Sequence, residues 1–269
     1  MRKNNTRQMV IDIEGFLKKN NKVTKVVINQ TWGLGDILFI EPIYRYLHNL
    51  GLEVIAPIQD VNVSIQTHIP YVNFKKVSNF EMDYERFDFG LFSVNEKVFD
   101  DTIYLPTRFS DQIFRNLRPH DDSASKYWMT DKYSVLGLDY KIWETIKLER
   151  DIKKEMELKE VVLKDIDGEY DFCNSFYQNS LNITINLDNE VKQDLPIISM
   201  EKIDGFSMID WSTIIQGARK IHTVSTSLIY MIQSIYLPEK EYHIYPRLPE
   251  RGFYTIEEFL PDYWIKHTK

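Results

Sequence analysis

The 269-residue sequence contains one cysteine, Cys173. That excludes a disulfide framework within the chain and suits a reducing compartment. No apolar run approaches the ~20 residues that span a bilayer. The basic first residues, MRKNNTRQ, are followed by no apolar signal core, so the expected location is cytoplasmic. An excess of positive charge is also missing. The net charge of −7 argues against wide capture of a nucleic-acid backbone, though a local basic groove stays open. Several catalytic signatures are absent too. There is no Gly-x-Ser-x-Gly elbow and no Gly-Lys-Ser/Thr phosphate loop. No Asp-x-Asp pair follows an apolar strand. The six histidines, His48, His68, His120, His222, His243 and His267, do not pair at metal-ligand spacing, so no metal site is expected.

What is present reads as an α/β chain. Hydrophobic residues make up 43% and charged residues 27%, enough for a large core in a soluble protein. KVTKVVIN (22–29) is short and β-branched and reads as a buried strand. Ile37, Ile40, Ile43, Tyr44 and Leu47 then recur at helical spacing. Gly51 suits a helix end before a second strand over 52–58. Further apolar runs lie in YERFDFGLFSV and DTIYLP, and 107–147 reads as helical and polar-aromatic. The charged run 147–168 reads as a solvated helix or linker, and marks a division into domains 1–148 and 149–269. The second half restarts the rhythm. Strands are expected at 170–177, 181–187, 195–201, 220–224 and 241–246. Helices are expected on Trp211, Ile214, Ile215 and Ala218, and again from Leu228. FYTIEEFLPDYWIKH is expected to form a terminal helix packing back on the first domain.

The stretch NQTWGLGD (29–36) joins the first strand to the first helix. A parallel sheet binds ligands where its strands end and its helices begin. Gly33 and Gly35 allow positive φ and close backbone approach. Asp36 suits either of two roles, an N-cap of the following helix or a general base facing a hydroxyl. The motif lacks the third glycine of a dinucleotide fingerprint.

The segment GLGDILFIEPIYRYLHNLGLEVI (33–55), with Pro42 six residues past Asp36, resembles the N-terminal segment of the ADP-heptose:lipopolysaccharide heptosyltransferase family. ARKIHTVSTSLIYMIQSI (218–235) resembles that family's donor-domain segment, a short strand followed by Asp-Thr-Gly and a helix with an early His. Only Thr226 matches there; Ser225, Ser227 and Tyr230 replace the Asp, Gly and His. The family's Lys-x-Trp-Pro-like segment is missing. The resemblance implies a GT-B-like α/β fold, two Rossmann-like domains facing a central cleft. It also implies an acceptor-side N-terminal domain and a C-terminal nucleotide-sugar domain. Asp36 becomes the general base, and Trp32, Gly33, Leu34 and Gly35 the cleft loop. The hydroxyls of Ser225, Thr226 and Ser227 would hold the donor diphosphate at a helix start. His222, just upstream, has two readings, a buried strand histidine or a donor contact. Arg247, after the last strand, is the candidate to neutralise phosphate.

The expected activity is inverting, metal-independent transfer of a sugar from a nucleotide-sugar to an acceptor hydroxyl, with no cofactor beyond the donor. The alternatives are a non-catalytic nucleotide- or sugar-binding module and a glycosyltransferase acting on modified bases of viral DNA. A third is an NAD-dependent enzyme with Asp60 holding the ribose.

Overall fold

Short β-branched runs set the framework. KVVIN (β1, Lys25–Asn29) is buried from its second residue on, as a strand covered on both faces must be. The computed structural model describes residues 12–30, 33–80, 98–106, 128–134, 136–175, 195–246, 256 and 259–267. It divides into two units, Met1–Trp143 and Glu144–Lys269, just ahead of the charged run at 147–168.

The first unit runs α1 (Ile13–Lys19), β1, α2 (Leu34–Phe39), α3 (Glu41–Asn49), β2 (Glu53–Ile58), β3 (Val72–Lys76), β4 (Val98–Phe99), β5 (Thr102–Pro106) and α4 (Trp128–Ser134). Its sheet has the order β3-β2-β1-β5-β4, parallel except for β4. The chain leaves β1 through α2 and α3 to β2 on one side. It returns to β1's other side at β5, so a topological switch point lies at the carboxyl end of β1. Pro42 lies in the first turn of α3, where its missing N–H costs nothing, and the helical run restarts there. The core beneath is Val26, Ile28, Ile37, Phe39, Ile43, Leu47, Val54 and Ile103. β3 arises from VNFKK, which its two lysines hid from a reading by apolar runs. YERFDFGLFSV lies outside the described residues.

The second unit runs α5 (Ile152–Val162), β6 (Asp171–Asn174), β7 (Ile197–Ser199), a 3-10 turn (Ile209–Trp211) continuing into α6 (Ser212–Gly217), β8 (Lys220–Val224), α7 (Leu228–Ser234), β9 (Glu241–Tyr245) and β10 (Trp264–Lys266). The sheet order is β10-β9-β8-β6-β7, and every pairing is parallel. Its switch point falls between β6 and β8. The expected strand at 181–187 lies outside the described residues.

α5 comes from the charged run. Asp151 caps it by accepting from Lys154 N at 3.1 Å. Its buried Glu155 is met by Arg150 and by the Thr213 hydroxyl at 2.6 Å. The terminal segment departs from expectation. Trp264–Lys266 is an edge strand, registered on β9 from Trp264↔Tyr242 to Lys266↔Ile244. β9 offers an open row of backbone donors and acceptors, and Trp264 packs edge-on against Tyr242 at 5.5 Å.

Gly217 ends α6 against the buried Tyr170 ring, whose hydroxyl donates to the Ile214 carbonyl at 2.7 Å. A Cβ at 217 would lie 2.5 Å from that hydroxyl. Gly217→Ala should therefore destabilise the fold by about 1–3 kcal/mol. In Gly217→Ala/Tyr170→Phe, where the clashing atom is gone, denaturant melts should recover most of the loss.

Candidate functional site

The polar residues at the end of β1 begin the site. Gly33 has φ +65° and ψ 120° and forms the N-cap of α2 without a side-chain cap bond. Leu34, Gly35 and Asp36 are the first three helical residues. Gly35 is therefore helical, and only Gly33 uses positive φ. Asp36 does not cap the helix. Gly33 holds the N-cap position without a side-chain cap bond, and the Asp36 carboxylate, three residues on, is paired elsewhere.

Its partner is Lys132 on α4. The Lys132 ammonium lies 2.5 Å from Asp36 Oδ1 and donates to Gln30 Oε1 at 2.8 Å. The Lys132 side chain is fully buried, whereas Asp36 keeps 24% of its side chain exposed. α4 is held there by aromatic packing. Tyr133 stands edge-on to Phe39 of α2 at 5.2 Å, and its hydroxyl donates to the Phe39 carbonyl. Trp143 lies against the same Phe39 at 5.8 Å. Tyr44 of α3 is buried beside this group. Burial first, then the Asp36 charge, pushes its phenol well above the ordinary range. Its hydroxyl has no hydrogen-bond partner among the described residues.

In the second unit, Ser225, Thr226 and Ser227 follow β8 at the second switch point. Ser225 N donates to the Tyr245 carbonyl at 3.0 Å. Thr226 Oγ1 accepts from Leu228 N at 3.3 Å and from Asn174 Nδ2 at 3.4 Å. Ser227 is the N-cap residue of α7, with its hydroxyl 3.6 Å from Met208 Sδ and no side-chain cap bond. Asn174, at the carboxyl end of β6, also donates to Thr223 Oγ1 at 3.0 Å. It went unnoticed in the sequence, although a polar residue closing a buried strand is a readable signal.

His222 lies inside the sheet. Its ring stacks on His243 at 4.4 Å and 12°, with Nδ1 at 3.2 Å from the Tyr245 hydroxyl. His243 in turn meets Glu241 at 2.6 Å and His267 at 2.8 Å. Burial, reinforced by His243, pushes His222 down to about 4. It is therefore neutral at neutral pH. Trp32 and Arg247 lie outside the described residues. Asp60, the candidate ribose ligand of the NAD reading, accepts from the Ser78 hydroxyl at 2.7 Å. No cluster of three or more His, Cys, Asp or Glu suited to a metal occurs among the described residues. None of their helices is long and apolar enough to cross a membrane.

No protein-family model matches the sequence, and a search of curated proteins finds no match. Solved structures do match. A glycosyl transferase family 9 protein from Veillonella parvula superposes with a TM-score of 0.50, over 91% of this chain and 86% of its own, at 10% identity. The iron-containing dodecameric glycosyltransferase TibC of enterotoxigenic E. coli gives 0.51, over 92% of this chain and 63% of its own, also at 10% identity. The fold is α/β and GT-B-like. The E. coli heptosyltransferase WaaC with ADP-2-deoxy-2-fluoro heptose gives 0.41 at 10% identity, too remote to bear on the donor.

Two predictions follow from the charges. Removing one member of a buried ion pair typically costs 3 kcal/mol or more. Asp36→Asn should cost roughly 3 kcal/mol, the low end because the carboxylate is part exposed. Asp36→Asn/Lys132→Met should recover much of that in a double-mutant cycle of denaturant midpoints. For His222, the unfolded chain takes up a proton below its ordinary 6.5, and the native state only near 4. Stability from this group is thus complete above pH 6.5 and falls as pH drops toward 4, by roughly 3 kcal/mol in all. His222→Gln should flatten that share of the pH dependence, read as the difference between the two melting curves.

Proposed function

We propose that the chain is a glycosyltransferase. It moves a sugar from a nucleotide-sugar to an acceptor hydroxyl by a single displacement that inverts the anomeric carbon. The observation that carries this reading is Asp36, a part-exposed carboxylate at the switch point of the first sheet, held against a fully buried ammonium. A base at that place is what abstraction of an acceptor proton requires. The fold shared with glycosyltransferases supports the same reading.

The donor diphosphate is assigned to the Ser225, Thr226 and Ser227 hydroxyls at the second switch point, with Arg247 as the proposed counter-charge. Hydrogen-bond donors fixed in advance stabilise charge as it develops on a leaving group. Thr226 is the best prepared of the three. Asn174 and Leu228 N already donate to its oxygen, which turns its own hydrogen toward an external acceptor such as phosphate. His222 is assigned a packing position behind this row.

The test begins with thermal shifts against UDP, GDP, ADP, CMP and NAD, with and without magnesium. A ligand at ~100 times its Kd should add about 2.7 kcal/mol of stability. One nucleoside diphosphate is expected to shift the melt without help from magnesium; a response to NAD alone would overturn the reading in favour of a dinucleotide site. With the donor named, Asp36→Glu keeps a charge opposite Lys132 but displaces it by one methylene. Turnover should fall about 100-fold or more while the donor still binds.

A further inference from the structure

The polarity of the Asp36–Lys132 pair is reversed from three carboxylate–arginine pairs among the described residues. In Glu41–Arg45, Glu155–Arg150 and Asp171–Arg219 the carboxylate side chain is 0–3% exposed, and the arginine above it is 24–31% exposed. Those pairs bury an acid and tie down a helix or strand. At Asp36 the cation is the buried member and the carboxylate faces outward. Burying an ammonium is expensive, and a lysine gives up its charge when burial is not offset by good partners. Here the compensation comes from Asp36 Oδ1 and Gln30 Oε1, brought from 96 and 102 residues away.

The two carboxylate oxygens differ in their surroundings. Oδ1 points inward to Lys132. Oδ2 lies over the exposed Gly33, close enough that a Cβ there would approach it to 2.7 Å. Resting on the transferase reading above, we propose that Lys132 is a positioning residue: it holds Oδ1 so that Oδ2 is the oxygen presented to the acceptor. In the transfer step the acceptor O–H bond breaks and its proton passes to Oδ2. The acceptor oxygen bonds to the anomeric carbon, and the carbon–oxygen bond to the diphosphate breaks with its electron pair on the phosphate oxygen. Lys132 keeps its proton throughout and moves nothing. Its work is orientation, and loss of orientation by about 1 Å costs on the order of 100-fold in rate.

The experiment measures release of nucleoside diphosphate from UDP-, GDP- and ADP-linked hexoses, with mixed saccharide acceptors. Wild type, Lys132→Met and Lys132→Arg are compared, each with its melting temperature. The expected result is a fall in kcat of ~100-fold for Lys132→Met with the donor KM within about threefold. Lys132→Arg, which keeps the charge, should recover part of kcat. If Lys132→Met does not fold, the same split in Lys132→Arg against wild type decides. Variants with wild-type kcat, or with donor KM rising as kcat falls, would overturn the positioning role and leave the transferase reading standing. A wild-type chain inert toward every donor would overturn that reading, and this role with it.

Discussion

A lysine side chain with no exposure to solvent constrains the first unit more tightly than any single apolar contact. Apolar packing tolerates small shifts, whereas a buried ammonium tolerates none that separate it from its oxygens. Lys132 meets Gln30 at the end of β1 and Asp36 in the first turn of α2, so strand, helix and α4 share one register. Tyr133 and Trp143, packed around Phe39, supply the apolar half of that constraint. The polar and aromatic contacts act on the same three elements from two sides.

Both units use the same device of parallel-sheet topology. In each, the central strand has its crossovers leaving in opposite directions, so the loops beyond the switch point splay apart and leave polar groups room to face a ligand. The first sheet places Gly33 to Asp36 there, and the second places Asn174 and Ser225 to Ser227. In the second unit His222, held neutral at neutral pH by burial, stacks on His243 within the sheet that carries those hydroxyls.

Much of this frame was legible in the residues. The β-branched runs marked β1, β2, β5, β8 and β9, because strands covered on both faces need continuous apolar surface. Gly33 before Asp36 marked a turn into a helix at a strand's end. The misreadings have identifiable physical origins. Gly35 was paired with Gly33 as a second positive-φ glycine, but a glycine within a helical turn needs no such conformation. VNFKK escaped notice because an outer strand tolerates lysines. Trp264–Lys266 looked helical because a short aromatic run fits both periods, and only the open edge of β9 decided between them.

The sequence by itself determined the α/β class, the order of most elements and the position of Asp36 at a strand-to-helix junction. These follow from local pattern, the spacing of apolar side chains and the demands of a turn. Only the tertiary structure decided which group Asp36 meets. Its choice of Lys132 over helix capping rests on a contact across 96 residues, and no local pattern distinguishes a lysine destined for solvent from one whose charge is buried. Burial is a property of the assembled neighbours, so the lysine's role appears only when α2 and α4 are in place.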